Sequence, residues 1–141
     1  MKWSDRATLD CTASAGALWA TLVDGPRWNA WNPGVQWMFL EGPLAPGSLL
    51  TMKPKGAPQT AFRVEEVVPQ RRLRVGLTFG PLAKLELAWT IDRIGSGTRL
   101  EQSVAIEGIA AGFLLRKNAL RIASGMAENL VRLCEIARER A

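Results

Sequence analysis

LRKNALRIASGMAENLVRLCEIARER, residues 115–140, contains no proline and a single glycine, Gly125. On a helical projection Ala119, Leu120, Ile122, Ala123, Met126, Ala127, Leu130, Leu133, Cys134 and Ala137 fall on one side, and Lys117, Arg121, Glu128, Arg132, Glu135 and Glu139 on the other. The steps from Leu120 through Ala123, Ala127, Leu130 and Cys134 to Ala137 run 3, 4, 3, 4, 3, the period of a helix that buries one face. At a rise of about 1.5 Å per residue this makes a rod roughly 40 Å long, longer than most helices in a domain of this size. Its apolar arc is wide, so a broad apolar surface has to cover it. Gly125 projects away from that arc and receives no role in a pocket.

Upstream, the period changes to two. Lys2 to Thr12 reads as a first strand, with Ala7, Leu9 and Cys11 alternating against Thr8 and Asp10. Ser14 is placed to cap a short helix over Ala15 to Val23, which Asp24-Gly25-Pro26 ends. A second helical turn spans Arg27 to Asn32 and stops at Asn32, which Pro33 pushes out of helical geometry. From Val35 the alternation returns: Val35, Trp37 and Phe39, then Ser48 to Lys53, then Gln59 to Val68 with Phe62 and Val64 on one side. Leu73, Val75, Leu77 and Phe79 follow, then Leu85, Leu87, Trp89 and Ile91, and finally Leu100, Gln102, Val104 and Ile106 after the Gly95-Ser96-Gly97 turn.

The order is strand, two short helices, six strands, long helix. Short turns between the strands dictate an antiparallel meander with one apolar face, and such a face needs a partner. The C-terminal helix is the partner long enough. The expected architecture is α+β, one domain over residues 1–141, with a seven-stranded twisted antiparallel sheet curled around the rod. The curl is wider than one helix can fill, so the remainder is either plugged by side chains or is a pocket.

Composition narrows the function classes. The chain has 141 residues, 48% hydrophobic and 22% charged, ordinary for a globular protein with a real core. Its longest uncharged apolar run, Ile109 to Leu115, is too short to span a bilayer, and the opening Met1 to Arg6 lacks the apolar core of a signal peptide. A cytoplasmic location is expected. Two cysteines, Cys11 and Cys134, make no disulfide framework and read as buried free thiols. The net charge of +5 is spread along the last helix among glutamates, with Arg71, Arg72 and Arg74 the one tight cluster upstream. That reads as a solvated surface rather than a nucleic-acid face.

The layout, with Leu18-Trp19, Asp24 and Trp28-Asn29-Ala30-Trp31-Asn32-Pro33, resembles the START-like helix-grip superfamily, also called SRPBCC. Gly47, the run Phe62-Arg63-Val64 followed by Pro69 and Leu73, and Gly97-Thr98-Arg99-Leu100 resemble its polyketide cyclase/dehydrase-like branch. The resemblance covers nearly the whole chain. It implies a hydrophobic cavity between sheet and long helix, and functions from ligand carriage to cyclisation and chaperone activation.

The chain has no histidine and no tyrosine, which removes the Ser-His and Cys-His nucleophiles and the usual zinc sets. Gly95-Ser96-Gly97-Thr98 lacks the lysine and following helix of a phosphate loop. No metal and no tightly bound cofactor is expected. Glu65 and Glu66, as strand neighbours, should face opposite ways and form no working pair. The remaining acid–base candidates are Glu66, Glu101, Glu107, Asp92 and Arg116. Arg116, at the start of the rod and on its apolar arc, either snorkels into water or stands as a cation at a pocket mouth. Gln102, among Leu100, Val104 and Ile106, is either a core amide satisfied by backbone or a polar handle in a cavity.

The residues expected to line a ligand site are Trp31, Trp37, Phe39, Phe62, Leu77, Phe79, Leu87, Trp89, Gln102, Arg116, Leu120 and Met126. Trp3, Trp19 and Trp28 read as packing residues. The leading function is non-covalent binding of a small hydrophobic or aromatic molecule or lipid. The alternatives are a cyclase or dehydratase using Arg116 and Glu101, and a protein-interaction module. No nucleic-acid partner is expected, and a homodimer is left open.

Overall fold

The computed structural model describes residues 1–140. Strands β1 (Lys2–Cys11), β2 (Val35–Glu41), β3 (Leu49–Pro54), β4 (Thr60–Val68), β5 (Arg72–Phe79), β6 (Ala83–Ile94) and β7 (Gly97–Glu107) form one sheet. Their order is β1-β7-β6-β5-β4-β3-β2, a seven-stranded sheet with every neighbouring pair antiparallel. From β2 to β7 each strand therefore lies beside its sequence neighbour, as short turns require. β1 closes the far edge against β7, with Lys2 opposite Glu107 and Cys11 opposite Thr98.

Between β1 and β2 come α1 (Ala15–Leu22), a 3₁₀ turn (Gly25–Arg27) and α2 (Trp28–Trp31). The Ser14 hydroxyl accepts the Ala17 N–H at 3.1 Å and caps α1. After β7 a single-turn helix, α3 (Ala111–Leu114), leads at Leu115 into α4 (Arg116–Glu139). α4 is 24 residues long and packs on β1, β7, α1 and α2. The fold is thus the α+β helix grip, a curled antiparallel sheet holding a C-terminal rod.

The core lies between that rod, the two short helices and the inner face of the sheet. Trp28, Trp31 and Trp89 form its aromatic centre, all edge to face, with ring centroids 5.0, 5.4 and 6.2 Å apart. The Trp28 indole donates to the Leu22 carbonyl at 2.6 Å, so its buried N–H is satisfied.

Two bulges change which residues face this core. The register of β2 on β3 shifts between Val35 and Trp37. Beyond the shift Met38 and Leu40 stand opposite the buried Met52 and Leu50, and pack on the core. Trp37 and Phe39 are exposed instead, because a one-residue slip moves every following side chain to the other face. The second shift lies between Val64 and Glu66 on β4. It sets Glu65 and Glu66 on the same outer face, where both reach Arg74, at 3.5 and 3.3 Å. The expectation that they point apart fails there, since a bulge cancels the alternation on which it rests. Arg72 and Lys84 join this outer ion cluster, 2.7 Å from Glu66 and 2.8 Å from Glu65 respectively, and Glu86 completes it, 3.4 Å from Arg74.

The cysteines also depart from expectation. Cys11 and Cys134 are joined in a disulfide, with Cα atoms 6.1 Å apart and positions 123 apart in sequence. The end of β1 and the penultimate turns of α4 meet in space, which brings the two thiols within bonding distance. The bond ties the rod to the sheet edge.

Candidate functional site

A cavity of about 340 Å³ lies between the inner sheet face, the α2–β2 connection and α4. This is within the usual size range of small-molecule sites. The sheet wall is built by Phe62 on β4, Leu77 on β5, Leu85, Leu87 and Trp89 on β6, and Gln102 on β7. Alternation explains the set: these residues are on the inward phase of their strands, and Trp89 stands directly opposite Gln102 in the β6–β7 register. Trp28 and Asn32 close one end. The helix wall is Asn118, Ile122, Gly125 and Asn129, which recur every three or four residues and so share one stripe of α4.

That stripe is about a quarter turn away from the one that packs on the sheet. Ala119, Met126, Leu130, Leu133 and Ala137 are buried in the core. The cavity therefore lies beside the rod's apolar midline, against a more polar strip. Gly125, given no pocket role from sequence, is part of the wall, and a Cβ built on it meets nothing within 4 Å.

The polar groups inside are few. Trp89 and Gln102 are each 2% exposed. The Trp89 indole Nε1 and the Gln102 Oε1 have no hydrogen-bond partner in the protein, and Trp31 Nε1, behind the wall, has none either. A buried unpaired donor or acceptor costs about 1–3 kcal/mol, so a donor and an acceptor on facing strand positions form a polar handle in an apolar wall. Asn129 adds a buried carboxamide from the helix side.

Charge is confined to the rim. Lys55, Arg121 and Glu128 line the cavity and are all exposed. Glu128 pairs with Arg132 one turn on, at 3.0 Å, whereas Lys55 and Arg121 are in no ion pair among the described residues. The groups with displaced pKa values lie outside the cavity. Hydrogen bonding from Arg72 and then Arg74 holds the Glu66 carboxyl below the usual carboxylate range, and the Arg99 guanidinium does the same to Asp10. For Arg74, burial works against the charged form, but Glu66, Glu86 and Glu65 together raise its pKa. Among the described residues no cluster of three or more His, Cys, Asp or Glu side chains is in place to hold a metal ion.

Of the residues expected at a ligand site, Phe62, Leu77, Leu87, Trp89 and Gln102 line this cavity. Trp31 is buried behind it, edge-on to Trp28 and Trp89. Met126 is in the core rather than the wall. Leu120 is 46% exposed, on the side of α4 away from the cavity. Trp37 and Phe39 face solvent for the reason given above, and Phe79 is exposed at the end of β5. Arg116 is exposed on the first turn of α4 and does not line the cavity. The rim cation on that helix is Arg121.

Glu101 sits on the outer sheet face, 3.6 Å from Arg6, so the structure does not bring Arg116 and Glu101 together. Asp92 and Glu107 are likewise exposed outside the cavity. Among the residues that line the cavity, sequence reasoning missed Trp28, Asn32 and Leu85, and the helix residues Asn118, Arg121, Ile122, Gly125 and Asn129. Asn129, a carboxamide between Met126 and Leu133 on the apolar side, carried a legible signal, as Gln102 did.

The protein contains no helix, among the described residues, long and apolar enough to cross a membrane. No curated protein matches the sequence. Among solved structures, the di-domain aromatase/cyclase StfQ from the steffimycin biosynthetic pathway aligns with a TM-score of 0.73 and 16% identity, over 99% of this chain and 52% of that one. A second di-domain aromatase/cyclase, BexL from the BE-7585A pathway, aligns with a TM-score of 0.70 and 18% identity, over 96% of this chain and 50% of that one. The chain thus spans about half the length of these two relatives. Norcoclaurine synthase from Thalictrum flavum, solved with dopamine and hydroxybenzaldehyde, aligns with a TM-score of 0.74 and 13% identity over 100% of this chain and 89% of that one. At these identities the likeness is one of fold. The family model described as polyketide cyclase / dehydrase and lipid transport matches residues 3–135. The curled sheet, its C-terminal rod and that match lead to one conclusion: this chain belongs to the polyketide cyclase / dehydrase and lipid transport family.

Proposed function

We propose that the protein binds a small, mostly apolar molecule non-covalently in the cavity between sheet and α4. The observation that carries this reading is the facing pair of Trp89 and Gln102, buried and each with an unpartnered polar atom, in a sheet wall lined mainly by apolar side chains such as Phe62, Leu77, Leu85 and Leu87. Such a site favours a ligand with an apolar body and an adjacent acceptor and donor, for example a hydroxylated or carbonyl-bearing ring. Hydrogen-bonding sites of this kind discriminate strongly against analogues that lack the polar group.

A cofactor-free cyclase or dehydratase is the second reading, favoured by the family and by the two aromatase/cyclases of similar fold. Against it stands the cavity's charge distribution. Its charged groups are on the exposed rim, so the interior offers hydrogen bonds but no side chain suited to general acid–base work. The disulfide favours an oxidising compartment over the cytoplasmic location expected from the sequence.

Native mass spectrometry of the purified protein tests the leading reading, together with titration by the apolar dye anilinonaphthalene sulfonate. A co-purifying small molecule, or dye binding that Gly125→Leu abolishes, is the expected result. Gln102→Leu should weaken ligand binding about tenfold while melting no lower than the wild type, since it replaces an unpaired polar atom by hydrocarbon. Neither bound molecule nor dye uptake, or dye uptake indifferent to Gly125→Leu, overturns the reading.

A further inference from the structure

Ile109 and Phe113 are 87% and 92% exposed, more than any other large apolar side chain described. Ile109 precedes the single turn of α3 and Phe113 lies within it, and that turn is anchored. The Ala110 N–H donates to the Leu82 carbonyl at 3.0 Å, and Gly108, at φ +124°, approaches the same carbonyl so closely that a Cβ there would collide with it. Only glycine adopts that backbone without strain. Leu82 and Leu114 are exposed as well, and the Leu82 N–H donates to the carbonyl of Phe79, also exposed, at 3.1 Å. One end of the molecule thus presents a fixed apolar tip, a feature that marks an interaction surface.

Charge indicates what covers it. From Gly108 to Ala127 the sequence contains no acidic residue, and its cations are Arg116, Lys117 and Arg121. All three are exposed, and none joins an ion pair among the described residues. The β5–β6 turn, Gly80 to Leu82, is uncharged. The adjacent acid, Glu107, stands across from Lys2 on one side and Lys84 on the other. A rigid apolar tip beside unopposed cations matches a lipid surface, where apolar side chains enter the headgroup boundary and cations meet the phosphates.

We propose that this end of the molecule docks on an anionic bilayer, with Ile109 and Phe113 entering the interface and Arg116, Lys117 and Arg121 facing lipid phosphate. The surface adjoins the cavity rim, because Asn118 and Arg121 lie on the first turns of α4. The proposal goes beyond the ligand reading and does not depend on it.

Flotation with phosphatidylcholine vesicles, with and without phosphatidylglycerol, tests it at low and high salt. The wild type should float with the anionic vesicles and be released by salt. Ile109→Ser with Phe113→Ser should weaken binding about tenfold or more, and Arg116→Glu with Lys117→Glu should abolish the preference for phosphatidylglycerol. Both pairs lie in solvent, so circular dichroism and melting temperature should match the wild type. Gly125→Leu should float as the wild type does, which separates failure of the cavity from failure of the surface. Absence of flotation, flotation indifferent to lipid charge, or flotation undiminished by the serine pair overturns the proposal. So does a dimer in sedimentation that the serine pair abolishes while vesicles bind no protein, since a second copy would then cover the tip.

Discussion

The two halves of α4 differ in what they touch. From Met126 to Ala137 the helix is embedded: Met126, Leu130, Leu133 and Ala137 are buried, and Cys134 is bonded to Cys11 at the end of β1. From Arg116 to Gly125, apart from the buried Ala119, it is a wall and a rim, which Asn129 extends by one turn. Leu120 faces solvent, Ile122 and Gly125 face the cavity, and Arg121 stands at its mouth. One half anchors the rod, and the anchor lets the other half span a gap without filling it. A cavity under a helix normally costs stability, because its lining atoms lack contacts on one side. Here the C-terminal half and its cross-link hold the rod in place over that gap.

The largest expected effect comes from cutting the anchor. Replacing Cys11 and Cys134 by serine removes a cross-link between residues 123 apart, which the chain-entropy account values at about 5 kcal/mol. Urea unfolding should show that loss, and the untreated, denatured wild type should show no thiol reactive with a colorimetric reagent. Leu130→Ala comes next. It deletes a buried side chain from the anchoring half, with an expected loss of about 2–5 kcal/mol, whereas Leu120→Ala in the spanning half should change stability by less than about 0.5 kcal/mol. Equal losses at the two leucines would erase the distinction between the halves.

Gly125→Leu sharpens the comparison in the opposite direction. The site is mid-helix and open at the Cβ, so the variant should gain about 0.5–1 kcal/mol from helix propensity alone while filling the cavity. A higher melting temperature together with lost ligand binding is the expected pair of results. The smallest effect belongs to the outer face, remote from both halves. Arg72 and Arg74 lower the Glu66 pKa from its ordinary 4.5. A lowered folded pKa means the pairing stabilises fully above the unfolded value and is lost as pH falls through the folded one. Glu66→Gln should therefore lower neutral stability slightly, the pair being solvent-screened, and leave stability at the acid end unchanged, so that the acid limb of a stability–pH curve flattens by that same small amount.

Much of the fold was legible because its signals are local. The period of residues 115–140 marks the rod, and Ser14 and Pro33 bracket the short helices that Ser14 caps and Asn32 ends. Short turns leave antiparallel pairing as the natural arrangement. The sheet side of the candidate site was legible for the same reason: Phe62, Leu77, Leu87, Trp89 and Gln102 follow from alternation along strands that stay regular up to those positions. α3 was not foreseen; one turn carries too few residues to show a period.

What the amino-acid order determined by itself was therefore the identity and succession of the elements and the inward phase of the regular strands, since each depends on residues a few positions apart. Tertiary structure alone decided the rest. The shift at Val35–Trp37 arises where neighbouring strands pair out of step, so Trp37 and Phe39 face outward. Which stripe of α4 meets the cavity depends on where the rod lies on the sheet. The bond from Cys11 to Cys134 exists because packing joins two ends of a chain that no local pattern connects.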